Sequence, residues 1–297
     1  MLTHLSSSAV LPHRVMLLGA GGFLAPEIRR VLEGERIPVV VLGSAELDLT
    51  KPEAAEQLRW ALGPDDSVVM VAGLTPDKGR DVATLMKNLR MGESVCAAIA
   101  QRAPSHLVYV SSDAVYDARS APVLNEGSTC EPTDLYALMH IAREKMLAET
   151  CRTSGIAFTV VRPCAIYGPG DTHNSYGPNR FMRTAWKDGK IVLFGHGEER
   201  RHHVHVTDVA SIIRLCLLHR SQGTINAITG KAVSFRELAD MVVAAVGRSV
   251  AIECVPRTTA ITHREFDVTA LTDAFPNYSH IPLPSGIARS AAFLSST

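Results

Sequence analysis

Apolar positions along the chain fall into two alternating patterns. Short unbroken apolar runs recur at Val15–Leu18, Pro38–Leu42, Ser67–Val71, His106–Val110, Ile156–Val161 and Thr224–Ile228, each the length of a strand buried on both faces. Between them lie stretches with helical spacing: from the glycine turn to about Leu32, then Pro52–Leu62, Val82–Gln101, Asp134–Leu147, a helix from Thr207-Asp208 to about Leu218, and Ser234–Val246. Ser234 and Glu237 form a capping-box pair at the start of the last of these. Strand and helix in alternation predict an α/β chain with a parallel sheet. Ile191–Phe194 and Glu199–Val206 read as further short strands. Residues 171–183 read as a polar, glycine-broken segment that turns helical, the start of the chain as a polar leader, and the tail from Ala251 as Pro-rich and irregular. On the Asp134–Leu147 helix, capped by Thr133 or Asp134, the apolar stripe is Leu135, Leu138, Ile141, Ala142 and Met146, with Arg143, Glu144 and Lys145 off it.

The strand ends carry the candidate chemistry, since ligands of open parallel sheets sit at the carboxyl ends of strands. The first strand runs into Gly19-Ala-Gly-Gly22-Phe-Leu-Ala25 and then a helix. Gly19 permits the tight turn, Gly22 lets backbone approach a pyrophosphate at the helix N-terminus, and small Ala25 allows close helix–strand packing. Dinucleotide binding is the expectation; a glycine-rich turn of some other α/β protein is the alternative. The second strand ends in Gly43-Ser44 with no acid, which leaves room for a 2′-phosphate and leans slightly to NADP over NAD. Asp48 could accept from an adenine amine or cap the next helix. Small Ala72 and Gly73 let a cofactor lie across the third strand's end. Ser112, after the His106–Val110 strand, is placed to hydrogen-bond a substrate oxygen. Tyr136 and His140, four apart, share one face of their helix, setting a phenol beside an imidazole.

Composition narrows the partners. Lys+Arg and Asp+Glu balance at 30 each over 297 residues, and no basic stripe appears, so nucleic acid and anionic membrane are poor candidates. No basic, apolar start suggests a signal peptide and no apolar run spans a bilayer. Six cysteines without a CxxC pair fit buried thiols in a reducing cytoplasm. His202, His203 and His205 invite a metal, but on a strand only His203 and His205 share a face and no acid or cysteine stands beside them at ligand spacing; packing is the expectation, with no metal. His173 could touch substrate. Cys164 could be reactive, with buried packing the default.

Taken in order, the Gly19–Ala25 turn, VSSDAVYD around Ser112, the Tyr136 helix, RPCAIYGPG from Arg162 and GEERRHHVHVTDVA from Gly197 resemble the extended short-chain dehydrogenase/reductases, the NAD(P)-dependent sugar-nucleotide epimerase, dehydratase and reductase group. The resemblance runs from about Val15 to Gly247 and more loosely beyond. It implies a Rossmann-type doubly wound parallel sheet over residues 1–168, completed by about 206–228, and a smaller C-terminal substrate lobe from 169–205 and 229–297. It implies a homodimer paired through the helices around Val82–Ala100 and Leu135–Glu149. Ser112 resembles the serine that holds the reacting oxygen and Tyr136 the tyrosine that exchanges a proton with it; Asp113 and His140 complete the catalytic set. Gly19, Gly22, Phe23, Leu24, Ser44, Asp48, Leu49, Ala72, Gly73, Asn88, Tyr136, His140 and Pro163 fall at cofactor-binding positions. His173, Asn179, Arg180 and Arg201, with Ser112, fall where a nucleotide-sugar substrate is held.

Two departures bear on activity. The family pattern is Tyr-x-x-x-Lys, and here the fourth residue is His140. Lysine titrates at about 10.4 and histidine at about 6.5, so a mostly neutral imidazole lowers the tyrosine's pKa less, though it can bond a ribose hydroxyl and relay a proton. Either His140 is a working variant, or the protein is a non-catalytic dinucleotide-binding regulator. Second, the 4,6-dehydratases carry Asp-Glu after the catalytic Ser/Thr, and here Ala114 follows Asp113. Elimination needs both an acid and a base in position, which leaves epimerisation or ketone reduction at a sugar carbon, with some likeness to a deoxysugar-nucleotide ketoreductase.

Overall fold

A computed structural model describes residues 2–171, 173–174 and 176–296, apart from the Ser296 side chain; the parts of the expected polar segment at 172 and 175 lie outside the described residues. In chain order the elements are β1 (Thr3–His4), β2 (Arg14–Leu18), α1 (Leu24–Gly34), β3 (Val39–Leu42), α2 (Ala54–Ala61), β4 (Asp66–Met70), α3 (Val82–Gln101), β5 (His106–Val110), α4 (Leu135–Ser154), β6 (Ala157–Pro163) and β7 (Ala165–Tyr167). They continue with α5 (Pro178–Asp188), β8 (Lys190–Phe194), β9 (Arg200–Arg201), β10 (His203–His205), α6 (Val206–Leu218), β11 (Ser221–Ala227), β12 (Val233–Ser234), α7 (Phe235–Val246), β13 (Ala251–Val255), α8 (Thr269–Ala274) and α9 (Leu283–Ser296).

Seven strands form one sheet in the order β1-β11-β6-β5-β4-β2-β3. Every pair in it is parallel except β1 with β11. The chain winds outward from β2 in both directions, to β3 on one side and to β4, β5, β6 and β11 on the other, so the switch point lies between β2 and β4. This is the Rossmann-type doubly wound fold that the alternation predicts. Successive residues of β2 serve opposite faces: Val15 and Leu17 join the core beneath α1 and α6, Met16 and Leu18 the core beneath α2, α3 and α4. A third apolar cluster, built by Phe181, Ile191, Leu193, Leu238, Val242 and Ile287 among others, holds α5, α7, α9 and β8 together as a smaller lobe. Among the described residues no helix is long and apolar enough to cross a membrane.

Three expectations are corrected. The polar leader is not idle: Thr3 and His4 extend the sheet antiparallel to β11, with the His4 ring fastened to Ser221 Oγ at 2.8 Å and Ala274 O at 2.9 Å. The tail from Ala251 is ordered as β13, α8 and α9. It divides between cores: Phe266, Leu271 and Phe275 pack into the main core, Ile287 and Ala291 into the lobe, so 229–297 is not all lobe. Its signal was hidden because these elements are short and their apolar residues irregularly spaced. Lastly, the buried face of α4 is not the apolar stripe. Leu138 is 41% exposed, whereas Arg143 and Glu144 are 1% and 6% exposed. Polar side chains with fixed partners, described below, won the buried side over aliphatic ones.

Candidate active site

The carboxyl ends of β4, β5 and β6, the start of α1, the first turns of α4 and the segment leading into α5 enclose a cleft of about 730 Å³. It brings together Gly22, Phe23, Leu24, Ala72, Gly73, Ser112, Asp113, Tyr136, His140, Pro163, His173, Asn179 and Arg180 from the expected site, with Ala25 and Cys164 beside them.

The glycine turn divides its work. Gly19 has φ +110°, and a Cβ there would lie 2.6 Å from the Ala72 backbone, so this glycine lets the β2 and β4 ends run together rather than touching a ligand. A Cβ on Gly21 or Gly22 would meet nothing within 4 Å, and Gly22 faces the cleft. Helix α1 starts with no side chain capping it, leaving its first N–H groups for an anion. These residues fit a pyrophosphate.

Ser112 leaves β5 extended, and its hydroxyl accepts from Ala114 N at 3.1 Å. Tyr136 stands in the first turn of α4, where Asp134 caps the helix by accepting from Ala137 N at 2.8 Å. Both side chains line the cleft; burial pushes the Tyr136 phenol up to about 12, against the neighbouring Ser112 hydroxyl and the Arg143 charge, which pull the other way. The His140 ring stands edge-on to Tyr136 with centroids 4.7 Å apart. Its Nδ1 is 2.8 Å from the Tyr109 hydroxyl, and its Nε2 is buried with no partner. Burial, helped by Arg143, pulls His140 down to about 3, so the imidazole is neutral at neutral pH and adds no charge beside Tyr136.

The Asp113 carboxylate lies 3.2 Å from Arg264 Nη1, which also donates to Asp113 O at 2.6 Å. Arg264 sits in a stretch with no recognisable pattern, so nothing in the sequence marks it. Beneath the cleft, Glu144 accepts from Ser111 Oγ at 2.5 Å and from Arg162 twice, at 2.9 and 2.6 Å. Arg143 donates to Asn88 O at 2.8 and 2.5 Å and to Ala72 O at 2.7 Å. At the mouth, His173 Nδ1 is 3.0 Å from Asp77 Oδ1 and 3.3 Å from Thr75 Oγ1, a link across the cleft that spacing does not reveal.

Several expected site residues stand apart from the cleft. Ser44 is exposed at the end of β3. Asp48 neither reaches the cleft nor caps α2; its Oδ1 accepts from Thr50 N and Oγ1 at 3.0 and 2.7 Å. Leu49 is a core residue, 5% exposed. Asn88 is buried and holds Leu74 through N–H and carbonyl bonds of 2.8 and 3.0 Å, so it shapes the lining without forming it. Arg201 turns away to Glu199 and Thr262 O. Asn179 reaches the cleft but its Oδ1 accepts from Gly168 N at 3.3 Å. Conversely, Glu46 folds back so that Oε2 accepts from Gly43 N at 2.9 Å. A carboxylate therefore does stand at the end of β3, supplied three residues late. His202, His203 and His205 are buried; His202 Nδ1 lies 2.7 Å from Thr229 O and Nε2 3.2 Å from Phe266 N. Among the described residues no three His, Cys, Asp or Glu converge as a metal site. Burial raises the Cys164 thiol well above its usual range, which suits packing rather than reactivity.

The doubly wound sheet thus brings the glycine turn before α1 and the side chains of Ser112 and Tyr136 to one cleft at its carboxyl edge. The model of the NAD dependent epimerase/dehydratase family matches residues 15–228, and the chain belongs to that family. It is 29% identical over 256 residues to a putative GDP-L-fucose synthase 2 of Oryza sativa subsp. japonica, covering 79% of this chain and 73% of that one. It is 27% identical to the GDP-L-fucose synthase of Escherichia coli K12, covering 79% and 81%, and 25% identical to a dTDP-4-dehydro-6-deoxy-D-allose reductase of Streptomyces bikiniensis, covering 93% and 94%. In fold it is similar to the UDP-glucose 4-epimerase of Thermus thermophilus (TM-score 0.84, 21% identity, 96% of this chain and 100% of that one). It is similar also to a GDP-L-fucose synthetase of Naegleria fowleri (TM-score 0.86, 16% identity, 99% and 97%).

Proposed function

We propose that the protein carries out NAD(P)-dependent oxidation or reduction at a sugar carbon of a nucleotide sugar, as a ketoreductase or an epimerase. The observation that carries this reading is that Ser112 and Tyr136 line one cleft together with Gly22 of the open glycine turn. A dinucleotide held at the start of α1 by the open Gly21–Gly22 turn would supply or remove hydride at the sugar carbon. Ser112 holds the carbon's oxygen in place. Tyr136, which keeps its proton at neutral pH, gives that proton to the oxygen as a carbonyl becomes an alcohol, and takes it back in the reverse direction. Asp113, fixed by Arg264, positions the strand end, and Arg180 and Asn179 frame the sugar nucleotide within a substrate lobe built by 169–205 and much of 229–297. The Glu46 carboxylate favours an unphosphorylated ribose, which moves the sequence-based lean from NADP towards NAD.

The neutral His140, which adds no charge of its own beside the Tyr136 phenol, favours a second reading, a dinucleotide-binding protein without turnover. The two separate on incubation with reduced or oxidised dinucleotide and a panel of 4-keto and 4-hydroxy nucleotide sugars, following nicotinamide absorbance and the sugar products. Steady consumption of reduced dinucleotide identifies a reductase. A changed sugar without net absorbance change identifies an epimerase. Tight dinucleotide binding with no altered sugar contradicts the proposal and favours the regulator.

A further inference from the structure

Residues 262–267 of the tail form a strap tied to three separate parts of the chain. Arg264 N donates to Arg200 O at 3.0 Å, Leu124 N to Glu265 O and Asp267 N to Leu124 O, the last two at 2.8 Å. The Phe266 N–H is held by a side chain instead, donating to His202 Nε2 at 3.2 Å. From the strap, Arg264 Nη1 reaches Asp113 O at 2.6 Å and Asp113 Oδ2 at 3.2 Å, at the residue that follows Ser112.

Backbone groups fix the tautomer of His202. A carbonyl only accepts, so Nδ1, 2.7 Å from Thr229 O, carries the proton. An amide N–H only donates, so Nε2, which receives Phe266 N–H, is bare. The ring is 1% exposed. A second proton can enter only at Nε2, and there it turns an acceptor into a donor. Two N–H groups then face each other, and the Phe266 N–H loses its acceptor. The countercharge lies on the strap itself, with Glu265 Oε1 3.5 Å from Nε2. Protonation therefore trades the Phe266 amide for the Glu265 carboxylate, one residue along, and the strap shifts with it.

The charges around the ring set the balance. Burial holds the imidazole below its ordinary range, against the Thr229 carbonyl and the Glu265 and Asp113 carboxylates. His203, the next residue, opposes a charge on His202. Arg200 lies 3.9 Å from Glu265 Oε2 and competes for that carboxylate. Arg201 and Arg264, turned to Thr262 O and Asp113, are the other cations nearby. Freed from the strap, an imidazole titrates near 6.5, so falling pH favours the shifted strap.

We propose that His202 is a positioning residue with a proton-operated clasp. Neutral, it holds the strap in the register that lets Arg264 fix the Asp113 turn and, through it, Ser112; protonated, it lets that register go. The effect on turnover rests on the reading of Ser112 above; the clasp does not.

Amide hydrogen exchange of the whole protein at about pH 7.5, 6 and 5, corrected for the intrinsic pH dependence of exchange, reads the clasp. Protection at Leu124, Phe266 and Asp267 should fall about threefold to tenfold towards pH 5, the worth of one hydrogen bond, while the β5 amides keep theirs. His202→Gln keeps an acceptor but takes no proton, and should hold the strap's protection level. Glu265→Gln removes the countercharge and should move the fall to lower pH. Equal protection at all three pH values, a loss shared by β5, or the same fall in His202→Gln overturns the proposal. Should His202→Gln not fold, Glu265→Gln decides: a fall at unchanged pH overturns the clasp. With a nucleotide sugar that the protein turns over, kcat on the acid side should drop with the strap and recover in His202→Gln, with KM little changed. An identical acid limb in both proteins overturns the positioning role. If no sugar is turned over, the proposed function fails by itself, and hydrogen exchange still decides the clasp.

Discussion

Two guanidinium groups lie buried beneath the cleft, and they are built on different principles. Arg162, from β6, meets Glu144 in a two-bonded ion pair of 2.9 and 2.6 Å, and its remaining donor reaches Tyr116 Oη at 2.9 Å. Its charge is cancelled on the spot, and Ser111 and Asn226 close the rest of the network. Arg143, one residue before Glu144, is 1% exposed and is held by carbonyl oxygens; no carboxylate among the described residues pairs with it. Burying a cation with only neutral acceptors is the more expensive arrangement. The first network fastens the ends of β5 and β6 to α4. The second leaves a positive charge near Tyr109, Tyr136 and His140. A fold that needed only cohesion would be served by two networks of the first kind.

The largest expected effect falls on the cleft side of this contrast. Tyr136→Phe removes the proton donor and leaves the ring; turnover should fall about 10²- to 10⁴-fold, with melting temperature and dinucleotide affinity nearly unchanged. Retained turnover would place the acid elsewhere. On the neutralised side, Glu144→Ala strands Arg162, and the cost should be about 3–5 kcal/mol, measured by denaturant unfolding. A loss below about 1 kcal/mol would mean that water or another group takes over the charge, and the distinction between the two arginines would narrow.

Acid stability sharpens the picture further. His140 and His203 are held at about 3, His106 and His205 at about 4, chiefly by burial. Unfolded, each takes up a proton near 6.5; folded, each resists it. Below about pH 6.5 the unfolded state therefore binds more protons, so stability present at neutral pH is lost as pH falls towards 4, by up to about 1.4 kcal/mol per pH unit for each histidine. Unfolding titrations at pH 7, 6 and 5 should steepen downward, and His203→Phe should flatten the slope by one proton. A pH-independent stability over that range would contradict the burial of these rings.

The strands and helices up to Val246 were legible because a two-sided parallel sheet writes unbroken apolar runs between amphipathic helices. That Ser112 and Tyr136 line one cleft was legible because strand ends and one helical turn fix where they point. The buried face of α4 was not. Arg143 and Glu144 read as surface residues, since charge on a helix usually faces water, and their partners lie 18 to 71 residues away in Arg162, Asn88 and Ala72. Glu46 was missed for a similar reason: the acid at the end of β3 reaches Gly43 from three residues on, outside the position where spacing leads one to look. The smallest prediction follows from it. Glu46→Ser should relieve repulsion of a 2′-phosphate and raise NADPH affinity relative to NADH by about threefold to tenfold, read by fluorescence titration. No change in the ratio would remove Glu46 from the cofactor's selection.

Label transfer tests the central claim most directly. Reduced dinucleotide carrying deuterium on the nicotinamide ring is incubated with 4-keto nucleotide sugars, and the sugar products are weighed by mass spectrometry. Deuterium bound to a sugar carbon with the unaltered protein, and lost with Tyr136→Phe, is the expected result. Saturating dinucleotide binding with no label in any sugar would contradict it.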